Sequence, residues 1–110
     1  LALGANTTAT AAMMKAGAAM GATGENPVLV ACRDADLIIG PIGIVIADSL
    51  LGEITPAMAA AIGQSHAQKI LIPVSGSSCC RHILVGTQNL PMNEYIHLAA
   101  EEAAAYLNHI

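Results

Sequence analysis

The stretch "IIGPIGIVIADSLLGEITP", residues 38–56, decides how this chain is read. It opens as an apolar strand, breaks at Gly40-Pro41, and resumes as a second apolar run that carries only Asp48 before Gly52. "DLIIG" is apolar on both faces, as a central parallel strand is. The run "IVIADSLLG" has the length and composition of a buried helix that ends at Gly52. A strand that turns on Gly-Pro-Ile-Gly into a helix is half of a β-α-β unit.

The flanks extend that pattern. Upstream, "LAL" reads as the tail of a strand, and Asn6 or Thr7 caps a helix through "TATAAMMKAG" that stops near Gly17. "GATGEN" reads as a loop. Asn26-Pro27 is a helix-start signature, which predicts a short helix over "PVLVACRDA", with a strand as the alternative there. Downstream, Thr55-Pro56 repeats the signature and starts a helix closed by Gly63. "KILIPV" and "HILVG" are further strands, joined by "SGSSCCR". That connection is too short for a parallel crossover, so an antiparallel edge hairpin is expected. After Pro91 a long last helix carries the apolar stripe Ile96, Ala99, Ala103, Leu107 and Ile110, with Glu94, Glu101 and Glu102 toward water. The order of elements predicts a single α/β domain over residues 1–110: a Rossmann-like three-layer sandwich with a mostly parallel sheet.

Composition narrows the function. Hydrophobic residues make up 55% of the 110 residues and charged residues only 11%, which excludes a disordered chain. Net charge is −4, with only four Lys and Arg, so phosphate-driven nucleic-acid binding is not expected. The run from Leu37 to Ala47 is too short for a membrane span, and Pro41 interrupts it. Three cysteines, Cys32, Cys79 and Cys80, form no disulfide framework and point to a reducing cytoplasm. "CCRH" has no second ligand pair, so no metal site is expected. The chain starts at Leu1, without Met, on what reads as a strand tail; the expectation is a fragment lacking an N-terminal β-α unit, and a homo-oligomer through the exposed sheet edge.

In open α/β sheets ligands bind beyond the carboxyl ends of the strands. The loops that leave those ends are "GANTT", "GPIGI" and "SGSSCC". The expected ligand-binding residues are therefore Gly4, Asn6 and Thr7; Gly40, Pro41, Ile42 and Gly43; and Ser75 and Ser77. Gly40 and Gly43 would permit positive φ and close backbone approach, and the helix start after them would receive an anion. The competing reading is that these glycines only let the helix pack tightly. Neither a P-loop nor a GxGxxG pattern is present, so a nucleotide cofactor is an open possibility and no motif names one. The expected partner is a small anionic or nucleotide-type molecule. No residue is assigned a catalytic role, although a nucleophilic Cys79 or Cys80 stays open as the enzyme alternative, and a ligand-free structural subunit as another.

"LGANTTATAAMMKAGAAMGATGENPV", "ADLIIGPIGIVIADSLLGEITPAMAAAIGQSHAQKILIPV" and the segment from the cysteine pair to "ILVG" resemble a family of short bacterial proteins, the domain of unknown function 3842. "GPIGI" and "LGEITP" carry the likeness most specifically. The resemblance implies a Rossmann-like fold that normally begins with one more strand and a "GQGGG"-type loop, neither of which is present here. It implies no activity. A fainter similarity links "GANTTATA" and "SCCRH" to the stretches around the two catalytic cysteines of glutamate and aspartate racemases; Ala5 stands where the first thiol would be.

Overall fold

Short-range signals build most of the elements. A computed structural model describes residues 1–73 and 90–108. Strand β1 (Ala2–Gly4) leads into helix α1 (Thr7–Lys15), strand β2 (Gly21–Thr23) and helix α2 (Glu25–Ala31). Strand β3 (Leu37–Pro41) follows, then a 3-10 turn over Ile42–Val45, helix α3 (Pro56–Gln64), strand β4 (Gln68–Ile72) and helix α4 (Met92–Leu107). Asn6 caps α1, its side chain accepting from the Ala9 N–H at 2.8 Å. Thr55 caps α3 in the same way toward Met58, with Pro56 at the first helical position, where no N–H is needed.

The fold is mixed α/β. Both described sheets are parallel and two-stranded, β1 with β2 and β3 with β4. Ala2 lies opposite Gly21 in the first register, and Leu37 opposite Gln68 in the second. A helix crosses over between the strands of each pair, as parallel pairing requires. The element order predicts one sheet; the described strands form two. The expected hairpin partner, "HILVG", lies outside the described residues. Among the described residues no helix is long and apolar enough to cross a membrane.

Three local expectations are corrected. "GATGEN" is not only loop: Gly21–Thr23 is a strand, because β1 presents unpaired backbone groups to it and the Thr10 hydroxyl clamps it, bonding the Ala22 carbonyl at 3.2 Å and the Thr23 hydroxyl at 2.7 Å. Helix α2 begins at Glu25 rather than at Pro27, on Gly24 at φ 99°. Pro27 then sits in the first turn, where N–H groups have no helical partner anyway. The third correction is the largest. "IVIADSLLG" is not a helix; it is the 3-10 turn followed by turns, with Asp48, Leu50 and Leu51 at φ 64°, 55° and 58°.

The reason lies in the core. Val28, Cys32, Ile54, Met58, Ala59 and Ile62 form one buried cluster, with Leu3, Ala5, Ile38, Ile44, Val45 and Leu50 packed against it. This cluster sits between α2, α3 and the segment that enters α3. A helix running straight to Gly52 would give up the chain reversal that returns Ile54 to the cluster. The reversal is closed by the Asp48 N–H donating to the Ile54 carbonyl at 2.7 Å and the Ile54 N–H donating to the Ser49 carbonyl at 3.2 Å. Ser49 is buried, and its hydroxyl donates to the Gly43 carbonyl. On α4, Ala99 and Ala103 are buried as expected, whereas Ile96 and Leu107 are about half exposed. The stripe is narrower than the periodicity suggests, centred on its two small residues.

Candidate functional site

The carboxyl end of β1 runs directly into the cap of α1. Gly4 is buried there, and its carbonyl accepts the Gly24 N–H at 2.9 Å, which draws the start of α2 to the same edge. Asn6 is extended, at φ −142° and ψ 166°. Its Oδ1 serves the helix cap, and its Nδ2 is free to point away and donates to Glu53 Oε2 at 2.8 Å. Thr7 is exposed at the first position of α1. Across the rim, the Thr55 hydroxyl donates to Glu25 Oε1 at 2.5 Å while also accepting from Met58 N. The starts of α1, α2 and α3 and the turn that enters α3 are thus tied at one edge by side chains 47 and 30 residues apart.

The predicted residues divide. Gly4, Asn6 and Thr7 belong to this rim. Gly40 and Pro41 end β3, and Ile42 and Gly43 lie in the 3-10 turn. The expected positive φ occurs at neither Gly40 nor Gly43; the described glycines with positive φ are Gly17, Gly24 and Gly52. A Cβ at Gly40 would lie 2.9 Å from Ile44 Cδ1, so this glycine makes room for a side chain of its own loop. Gly43 is buried, its carbonyl accepting from Ser49 Oγ and, at 3.0 Å, from the Ile46 N–H. A 3-10 turn, not an α-helix, follows β3, so the helix start expected to receive an anion is absent there. Ser75 and Ser77 lie outside the described residues, as do Cys79 and Cys80.

Sequence reading missed Glu25, Glu53 and Thr55 as rim residues, assigning Glu53 to a turn and Thr55 to a cap. No local signal reveals a contact across 47 residues. Charge at the rim differs from expectation too, since two carboxylates stand there beside an amide and hydroxyls. Carboxylates accept hydrogen bonds from ligand hydroxyl and amino groups and repel a bare anion. The one described free thiol, Cys32, is in the core, and burial pushes its pKa up, partly offset by the charge of Lys69. A thiol held protonated in this way is a poor nucleophile. An apolar cleft lies elsewhere, between β4 and α4, lined by Ile70, Ile72, Tyr95 and Leu98. It gathers few polar groups and none of the rim residues.

One family model matches residues 1–108 of the chain, that of the Domain of unknown function (DUF3842). The chain belongs to this family. Within it, the residues that bridge the rim fall in the matched region, "GPIGI" and "LGEITP" included. Comparison with curated proteins and with solved structures found no match.

Thr55 offers a direct check on how the rim is held. Thr55→Ala removes both the cap of α3 and the bond to Glu25. The expected loss of stability is about 1 kcal/mol, read as a lower urea midpoint at unchanged slope. An unshifted midpoint would show that neither bond contributes.

Proposed function

We propose that this member of the family binds a small polar ligand of nucleoside or nucleotide type at the rim beyond the carboxyl ends of β1 and β2. The observation that carries the reading is the convergence of Asn6, Thr7, Glu25, Glu53 and Thr55 at that edge, where the Asn6–Glu53 and Thr55–Glu25 bonds tie the starts of α1 and α2 to the start of α3. Carboxyl ends of parallel strands are where α/β domains place ligands. Glu25 and Glu53 supply acceptors for sugar hydroxyls. The start of α1, with its free N–H groups and Thr7, is the part of the rim suited to a phosphate. The β1-α1-β2 and β3-α3-β4 crossovers support the Rossmann-like reading as part of the same proposal.

A thermal-shift comparison tests it, using adenosine, adenosine monophosphate and inorganic phosphate with the wild type, Thr7→Ala and Glu25→Gln. Thr7 and Glu25 are exposed, so neither change empties the core. The nucleoside and nucleotide are expected to raise the wild-type Tm. At a hundredfold excess over Kd the gain is about 2.7 kcal/mol, or several degrees for a domain of this size. Thr7→Ala should weaken the nucleotide selectively, and Glu25→Gln should weaken both. Equal shifts in all three proteins would place binding elsewhere, and no shift with either compound would end the nucleoside reading.

A further inference from the structure

The segment between the 3-10 turn and α3 joins a helix-forming composition to a left-handed backbone. Leu50, Leu51 and Gly52 follow one another at φ 55°, 58° and 83°, after Asp48 at 64°. Glycine takes such angles freely, and single Asp residues do so at modest cost; leucine does not. Two adjacent leucines in this region have no local cause, since the left-handed conformation costs an ordinary L residue about 1–2 kcal/mol against the right-handed one. Tertiary anchors impose the shape. They are the buried Ile54 and Ser49, the Asp48–Ile54 backbone pair, and at the exposed end the bond from Asn6 to Glu53.

Local preference and tertiary anchoring therefore pull in opposite directions over a few residues, which is how bistable elements arise. We propose that residues 47–53 are a two-state strap over the rim. In the closed state, the one described, the backbone is left-handed at Asp48, Leu50, Leu51 and Gly52, and Glu53 is latched to Asn6. In the open state the strap turns right-handed and helical, the reversal that buries Ile54 opens, Glu53 leaves, and the Asn6 amide is free; the lost burial of Ile54 keeps this state minor. The strap rests on the rim reading in one respect only: a ligand that takes the Asn6 amide is what opens it. Leu51 suits such an element, being 79% exposed and so making little contact that opening would break.

The strap is tested without any ligand, so its failure and that of the nucleoside reading are separate results. Amide hydrogen exchange by NMR follows Asp48 and Ile54, whose N–H groups close the strap, against Ile62 in α3. Expected in the wild type is exchange at Asp48 and Ile54 at least about tenfold faster than at Ile62, the mark of local opening. Glu53→Ala should speed both by about fivefold, the worth of one hydrogen bond, and move the Leu50 and Leu51 Cα shifts toward right-handed helical values. Leu51→Gly, which removes the left-handed penalty and disfavours the helical state, should slow both by about tenfold; Leu51→Ala should not slow them. Exchange of Asp48 and Ile54 at the Ile62 rate, unmoved by Glu53→Ala, would overturn the proposal and leave a fixed turn. So would equal effects of glycine and alanine at position 51.

Discussion

Gly4→Ala is expected to remove a large part of the stability of the native fold. Gly4 is buried at the end of β1, and a Cβ there would lie 2.6 Å from the Thr10 backbone nitrogen and 2.9 Å from the Asn6 carbonyl oxygen, with Thr10 Oγ1 closer still. Two of these neighbours are backbone of α1 and its cap, so no rotamer change relieves them. Overpacking against yielding side chains costs about 1–3 kcal/mol, and against backbone the upper end is the starting point. The shift needed would also open the Gly24-to-Gly4 bond that joins the two helix starts. In a chain with so modest a core, a loss of about 3 kcal/mol takes most of the stability. Far-UV circular dichroism against urea reads it. The double variant with Thr10→Ala should recover only part of the loss, because it removes the hydroxyl contact and leaves the backbone ones. A single variant that unfolds at the wild-type midpoint would refute the close packing of α1 on β1.

Ile54→Ala carries the second-largest effect. Ile54 is 3% exposed, at the point where the turn enters the cluster of Val28, Cys32, Met58, Ala59 and Ile62. Truncation of a buried isoleucine costs about 2–5 kcal/mol, depending on how far the site collapses. The upper half of that range applies if collapse is opposed, and here the backbone on either side is pinned by the Asp48–Ile54 and Ile54–Ser49 bonds. The contrast is Leu51→Ala, three residues earlier on an exposed side chain, which should change stability by less than about 0.5 kcal/mol. Urea midpoints of the two variants, compared at equal slope, decide it. Similar losses in both would mean that Leu51, too, is covered.

Those two residues show what could be read ahead of the structure. Leu51 and Ile54 are equally apolar in sequence, and a helix drawn through "IVIADSLLG" would hold Leu51 and leave Ile54 to the turn beyond Gly52. Periodicity finds which residues are greasy; it does not find which the chain reverses to bury. "GATGEN" failed for a related reason. The three residues Gly21–Thr23 are too few to show alternation, and their strand exists only because Ala2–Gly4 lies alongside. The rim was half legible. Gly4, Asn6 and Thr7 follow from a strand end beside a cap signature. Glu25, Glu53 and Thr55 join them through contacts that no window of sequence contains. "GPIGI" ends β3 and turns, as its glycines suggest, but the turn is a 3-10 one in which Gly40 makes room for Ile44 and Gly43 is buried, a packing role that its sequence does not distinguish from a ligand loop.

By itself, then, the sequence determined the elements whose causes lie within a few residues. Asn6 and Thr55 cap because their side chains reach an N–H three residues on. "LIIGP" and "QKILI" are strands because apolar runs of that length, bounded by turn residues, favour extended chain, although none of their residues is fully buried and Ile39 is about half exposed. Parallel pairing follows from the helix between them. Tertiary structure alone decided the left-handed passage through Leu50 and Leu51, the strand at Gly21–Thr23, and the meeting of Asn6 with Glu53 and of Thr55 with Glu25. The physical reason is common to all of them. Local preferences are worth about a kilocalorie per residue or less, and burial of a side chain such as Ile54 is worth several, so where the two conflict the distant contact sets the backbone.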